Sequence, residues 1–312
     1  MERKQFLKLG SFASAGLALL PGTGLLAAGS NKGTSARNVA TSYIQAGGIT
    51  FAYRRYGRKA GLPLVCTNYL TGTMDNWDPN VIDGFAKERE VIIFDNAGVA
   101  ASTGKTPDTV AAMAKDAATF IDALGLKQID LLGFSIGGMV AQQLTFDRPE
   151  LIRRLILIGT GPRGGERMED YSPEVWALFK KQYPHADELL LDTFFTKTTK
   201  SQAAGWDYLK RIRARVVKEP ALTDQVVPAQ LAAIFGWGKR HEGSFDYLKQ
   251  IRQPTLVVHG DQDIICPTVN SVILKEHIPN ASLVIYPDTN HAPHYQHHTL
   301  FLQQAGQFLN EA

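Results

Sequence analysis

From Thr41 onward, short apolar runs alternate with longer stretches of mixed polarity. Leu64–Thr67, Val91–Phe94, Ile129–Leu132, Leu155–Ile158, Thr255–Val258 and Leu283–Tyr286 are aliphatic or β-branched with little polar alternation. That is the pattern of strands covered on both faces. Helical segments fall between them, including Thr109–Leu124, Gly137–Phe146, Thr268–His277 and Thr299–Leu309. Ahead of these, Ser42–Gln45 and Ile49–Arg54 flank Ala46-Gly47-Gly48, which reads as a hairpin whose glycines supply the turn. Strand–helix alternation of this kind predicts an α/β fold, a mainly parallel, doubly wound sheet with helices on both faces.

One region breaks the rhythm. Residues 161–249 contain no convincing strand, and they hold Trp176, Phe179, Tyr183, Phe194, Phe195, Trp206, Tyr208, Phe235 and Trp237. A helical insertion between the sixth and seventh strands reads as a cap, or lid, over the ligand-binding edge of the sheet. Most of its aromatics are expected to form the cap's own core, with some facing a pocket beneath. The core domain is then residues 41–160 and 250–312.

The N-terminus follows a different pattern. Arg3, Lys4 and Lys8 precede Leu9–Ala28, which carries no charge, and Ala27-Ala28-Gly29 follows with small residues. A basic start, an apolar middle and a small-residue exit are expected of a secretory signal peptide, here residues 1–29. The Arg3-Lys4-Gln5-Phe6-Leu7-Lys8 run is similar to a twin-arginine signal with lysine in place of the second arginine. The expected location is therefore periplasmic or secreted, with no membrane span in the mature chain. Residues 30–40 are small and polar and read as a linker.

The chain has 312 residues, 44% hydrophobic and 20% charged, a balance that fits a soluble globular protein. Loss of the signal removes three basic side chains and one acidic, so the net charge falls from +3 to +1. With no basic stripe, no nucleic-acid partner is expected. Cys66 and Cys266 lie in apolar surroundings and read as two buried free thiols. Two cysteines do not make a thiolate zinc site.

The clearest chemical signal is Gly133-Phe134-Ser135-Ile136-Gly137-Gly138, set between an apolar strand and a helix. This is the G-x-S-x-G turn, in which the serine takes a strained conformation and projects its hydroxyl above the sheet. Strand and helix approach closely two residues before and after it, so Gly133 and Gly137 fit for want of a Cβ. A serine there also sits at the positive end of the helix dipole. Serine is a poor nucleophile until a base takes its proton, so a histidine and an orienting acid are required.

Two strand ends offer them. Thr255–Val258 runs into His259-Gly260-Asp261-Gln262-Asp263-Ile264-Ile265-Cys266-Pro267, and Leu283–Tyr286 into Pro287-Asp288-Thr289-Asn290-His291-Ala292-Pro293-His294. With the elbow, these segments give the chain, from about Thr41 to its end, a resemblance to the α/β-hydrolase superfamily, where the order is serine, acid, histidine. The resemblance implies Asp263, second aspartate of G-D-x-D, as the acid, and Asp261 as a turn residue. It implies His291 as the base. Some family members carry the acid one strand earlier, but Gly159-Thr160-Gly161 offers no carboxylate. Asn290 replaces the usual glycine before the histidine and tolerates left-handed backbone. His294, His297 and His298 are expected to decorate the start of the last helix; without thiolate or acidic ligands they do not read as a metal site.

The resemblance also places the oxyanion hole at the backbone amides of Ile136 and Leu70. Asn68-Tyr69-Leu70 stands where most members have H-G-x, so the loop departs from the pattern, and Asn68, Tyr69 and Phe134 become candidates for lining the substrate pocket. Phe94-Asp95-Asn96-Ala97-Gly98 likewise lacks the arginine usual in the next turn, a change read as structural. The implied reaction is cofactor-free acyl transfer from a small ester or lactone to water through Ser135. Alternatives are another reaction on the same triad, such as cofactor-free perhydrolysis (haloperoxidase-like) or carbon–carbon bond hydrolysis, and a non-catalytic ligand receptor. The sequence does not give the oligomeric state.

Overall fold

The computed structural model describes residues 34–311. The expected signal peptide, residues 1–29, and the first residues of the expected linker lie outside them. Eight strands form one sheet: β1 (Ser42–Ala46), β2 (Ile49–Gly57), β3 (Leu64–Thr67), β4 (Glu90–Phe94), β5 (Ile129–Phe134), β6 (Ile152–Ile158), β7 (Thr255–Gly260) and β8 (Ala281–Tyr286). Their order is β1-β2-β4-β3-β5-β6-β7-β8. β1 and β2 form the expected hairpin, β2 runs antiparallel to β4, and every later pairing is parallel.

The central strands are buried on both faces, and their side chains divide between two apolar layers with period two. Leu64, Cys66, Ile93, Leu132, Phe134, Ile156 and Ile158 face one layer. Val65, Ile92, Leu131, Leu155 and Leu157 face the other. The first layer is closed by α1 (Pro79–Ala86), the short α9 (Pro293–Gln296) and α10 (His298–Asn310); the second by α2 (Val110–Ala123), α3 (Ile136–Asp147) and α8 (Val269–His277). Thr109 caps α2, accepting from Ala112 N at 3.2 Å, which stops the helix where the sequence places its start. β8 is an edge strand, half-buried rather than covered on both faces as its apolar run implied.

Between β6 and β7 lie α4 (Pro173–Lys180), α5 (Leu189–Phe194), α6 (Thr199–Arg213) and α7 (Val226–Gly238). The insertion is tied to the sheet by charge as well as by apolar packing. Arg211 of α6 makes a bidentate pair with buried Asp78 at 2.8 and 2.6 Å, and Glu219 pairs with fully buried Arg54 of β2. Residues 34–40 differ from the linker expected of their composition. Ala36 N donates to Asp83 at 2.6 Å, and Arg215 of the insertion donates to the Ala36 and Val39 carbonyls at 2.9 and 2.8 Å. Small side chains here allow close packing, which composition alone does not distinguish from slack. Among the described residues, no helix is long and apolar enough to cross a membrane.

Candidate functional site

Ser135 sits between β5 and α3 with φ 57° and ψ −123°, outside the region that L-residues favour; such backbone costs about 1–3 kcal/mol and persists only where its surroundings impose it. They do. A Cβ on Gly133 would stand 2.5 Å from the Gly137 carbonyl oxygen, and one on Gly137 would stand 2.2 Å from the Thr67 carbonyl oxygen. Ser135 N donates to the Ile158 carbonyl at 2.9 Å. The steric reading of the two glycines therefore holds in the structure.

Asp263, in the loop after β7, is buried. Its Oδ1 accepts from Ile265 N and Cys266 N, both at 2.9 Å, and Oδ2 lies 2.8 Å from His291 Nδ1. Burial by itself would raise this carboxyl, but the His291 and His259 imidazoles and their hydrogen bonds outweigh it and hold it well below the usual carboxylate range. Asp261 instead accepts from Thr289 N at 3.1 Å, tying the loop after β7 to the loop after β8 rather than bonding the amides of its own turn. Asn290 is not left-handed. Its side chain accepts from Ile264 N at 3.0 Å and so braces the acid loop.

His291 is buried with Nδ1 on Asp263, so Nδ1 carries the proton and Nε2 the lone pair. Nε2 is buried and makes no hydrogen bond to the Ser135 hydroxyl or any other group among the described residues. Gly159, directly after β6, brings the two residues to one place: it follows the carbonyl that Ser135 N bonds, and a Cβ on it would lie 3.2 Å from His291 Nδ1. Ser135, Asp263 and His291 thus converge at the carboxyl ends of β5, β6 and β7, where parallel sheets bind ligands.

The segment that leads to Leu70 packs on the start of the helix that carries Ile136. The chain at Thr67–Asn68 lies against the start of α3, with Thr67 Oγ1 donating to the Gly137 carbonyl at 2.8 Å. Ile136 N is the first amide of α3, one of the donors a helix leaves unsatisfied. Tyr69 N donates to Asn68 Oδ1 and Thr71 N to Gln230 Oε1, at 2.9 and 2.7 Å. Leu70 N, between them, has no acceptor among the described residues.

The pocket-lining candidates divide. Asn68 Oδ1 accepts from Tyr69 N and its Nδ2 donates to the Thr73 carbonyl at 2.7 Å, so both ends of the side chain brace the loop. Phe134 is fully buried beneath the site, its ring 5.1 Å from that of His291 and 4.6 Å from that of His294; it is floor rather than exposed wall. Tyr69 stands edge-on to Phe134 at 5.3 Å and to Phe194 at 4.9 Å.

Several residues at the site were not singled out for it by the sequence. Phe194, at the end of α5, lays its ring 5.9 Å from that of His291. Gln230 of α7 is fully buried against the loop that follows Leu70. His259 on β7 lies 3.0 Å from Asp263 Oδ2. His294 does not decorate a helix surface: it is fully buried, and burial, followed by the nearness of His291, pushes it well below its ordinary pKa. His294 lies within α9, on the face that packs into the core with Pro293 and Tyr295.

A family model described as alpha/beta hydrolase fold matches residues 63–298. Among solved structures, an alpha/beta hydrolase fold protein from Chitinophaga pinensis is 37% identical, with a TM-score of 0.84 over 89% of this chain and 100% of that one. A poly(3-hydroxyalkanoate) depolymerase from Ectopseudomonas oleovorans is 29% identical over 240 residues, 75% of this chain and 80% of that protein. A 2-hydroxymuconate semialdehyde hydrolase from Pseudomonas putida is 29% identical over 204 residues, 62% of this chain and 66% of that protein.

Proposed function

The chain belongs to the alpha/beta hydrolase fold family, and we propose that it is a serine hydrolase that cleaves a small carboxylic ester or lactone through an acyl-enzyme on Ser135. One observation carries this: a histidine whose Nδ1 is held by a buried carboxylate, and whose buried Nε2 is free to accept a proton, beside a serine in a strained elbow. In the reaction, the Ser135 oxygen bonds to the substrate carbonyl carbon while His291 Nε2 takes its proton. The oxyanion formed is met by the Ile136 and Leu70 amides. The carbonyl re-forms, the carbon–oxygen bond to the leaving group breaks, and His291 returns the proton to that oxygen. Water then attacks the acyl-enzyme with His291 again as base, releasing the acid and restoring Ser135. The insertion acts as a cap, with Phe194, Tyr69 and the apolar floor favouring an apolar acyl or ring group. No metal or organic cofactor enters this scheme.

Hydrolysis of a carbon–carbon bond is the second reading, favoured by the likeness to the 2-hydroxymuconate semialdehyde hydrolase. Assay of the purified protein on short esters, lactones and vinylogous diketones separates the two. Ester or lactone turnover that falls about a thousand-fold or more in Ser135→Ala is expected; turnover of the diketones alone overturns the ester reading. Residues 1–29 extend the proposal to an exported enzyme. Fractionation should find the chain outside the cytoplasm and shortened near Gly29, and a full-length cytoplasmic chain would contradict this.

A further inference from the structure

His259 is the last side chain of β7 before Gly260, and it is completely buried. Its Nε2 bonds the Cys266 carbonyl at 2.8 Å and lies 3.0 Å from Asp263 Oδ2. Carbonyl and carboxylate only accept, so this nitrogen carries the proton. Nδ1 is buried with no hydrogen-bond partner among the described residues. A charged ring would leave a buried, unpaired N–H there, whereas the neutral ring leaves only a lone pair. The neutral tautomer is the less costly. His259 is therefore a neutral donor rather than a counter-ion.

Cys266 closes a ring around the acid. Its N–H donates to Asp263 Oδ1 at 2.9 Å, while its carbonyl accepts from His259. Asp263 thus meets two donors on each oxygen, Ile265 N and Cys266 N on Oδ1, His291 and His259 on Oδ2. We infer that His259 is a positioning residue for the proton relay: sharing Oδ2 with His291, it fixes the carboxylate and draws off part of the charge that would stabilise a His291 imidazolium. His291 is then a weaker base than the same pair would be without it. The inference rests on the proposed roles of Ser135, Asp263 and His291.

The other titratable groups beside this pair do not compete. The Cys266 thiol and the Tyr171 phenol are pushed up by burial, with Asp263 adding to both, and the His294 imidazole is pushed down by burial and by His291. All three are neutral where His291 works. Phe134 and Phe194, the rings against His291, carry no charge. Asp263 is then the one charge in this set, and a donor that drains it acts on His291 directly.

The test is the acid limb of the pH profile of kcat/KM in wild type, His259→Leu, His259→Asn and His259→Gln. Glutamine places an N–H where His259 Nε2 stands; asparagine is too short, and leucine has none. The limb is expected about one unit higher in the Leu and Asn variants, and within a few tenths of wild type in the Gln variant. If the Leu variant does not fold, the Asn and Gln pair decides. The proton on His291 Nδ1 gives a far-downfield NMR signal whose titration reports the same ionisation without substrate. A limb or titration unmoved in folded Leu or Asn protein, or moved equally in Gln, overturns the inference. A moved titration in protein that hydrolyses no ester would overturn the proposed reaction and leave the role of His259 standing.

Discussion

His291 and Asp263 meet through a single contact, Nδ1 to Oδ2 at 2.8 Å, and that contact fixes which face of the imidazole is left to work. With the proton held on Nδ1, Nε2 is the basic nitrogen, buried and unpaired among the described residues. Asp263→Asn keeps the shape but offers a donor where an acceptor is needed, and so selects the wrong tautomer. The expected result is a fall in kcat on the order of a thousand- to ten-thousand-fold, with the fold intact by circular dichroism. A change under tenfold would contradict the role assigned to Asp263.

Two glycines on neighbouring helices should respond in opposite directions to the same methyl group. Gly137→Ala drives a Cβ to 2.2 Å from backbone at Thr67, which cannot step aside; a loss of about 3 kcal/mol is expected. Gly236, exposed in α7, has nothing within 4 Å of the position its Cβ would take, and Gly236→Ala should gain about 0.5–1 kcal/mol of helix stability. Thermal unfolding of the pair checks both.

Gln230 reaches from α7 to the oxyanion loop, and its Oε1 is the acceptor for Thr71 N at 2.7 Å. Thr71 has φ 64°, so the loop depends on outside support to hold Leu70 N in place. Gln230→Met removes the acceptor at similar length. The account expects kcat to fall about ten- to a hundred-fold with KM little changed, since a slightly misplaced donor weakens transition-state contacts first. An effect on KM alone would count against it.

Asp95 supplies a pH-dependent term. It accepts from Met74 N at 2.8 Å, its Oδ2 is buried without a partner among the described residues, and burial, followed by the charge of Glu219, pushes it up to about 8 from an ordinary 3.8. A carboxyl raised in the folded state favours folding most while protonated. That contribution is fully present below the unfolded value and is lost as pH rises through the folded one. Asp95→Asn should therefore gain stability relative to wild type between about pH 4 and pH 8 and level off above. Denaturant melts at pH 5 and pH 9 measure the difference; a variant that loses ground as pH rises would refute the assignment.

The parts of this molecule that could be read from sequence are those whose physics is local. The elbow is legible because a strand-to-helix turn around Ser135 demands glycine at two fixed positions, and Gly133 and Gly137 answer it. The strands are legible because burial on both faces writes unbroken apolar runs. Asp263 and His291 were named by the resemblance to the α/β-hydrolase superfamily, which their segments after two apolar strands carry. His259 was hidden because a buried imidazole at a strand's end says nothing until the loop through Asp263 and Cys266 folds back onto it. Phe194 and Gln230 were hidden for a related reason: helical period shows that a face is apolar but not which residue of the insertion reaches His291 or the loop at Thr71.

The central claim is that Ser135 is a nucleophile made reactive by His291. It is tested most directly by treating the protein with a fluorophosphonate and locating the adduct by peptide mass spectrometry, in wild type and in His291→Gln. The account predicts one adduct, on the peptide carrying Ser135, formed about a hundred-fold or more slowly in the variant. An adduct on another residue, or labelling of Ser135 at the same rate without the imidazole, would contradict it.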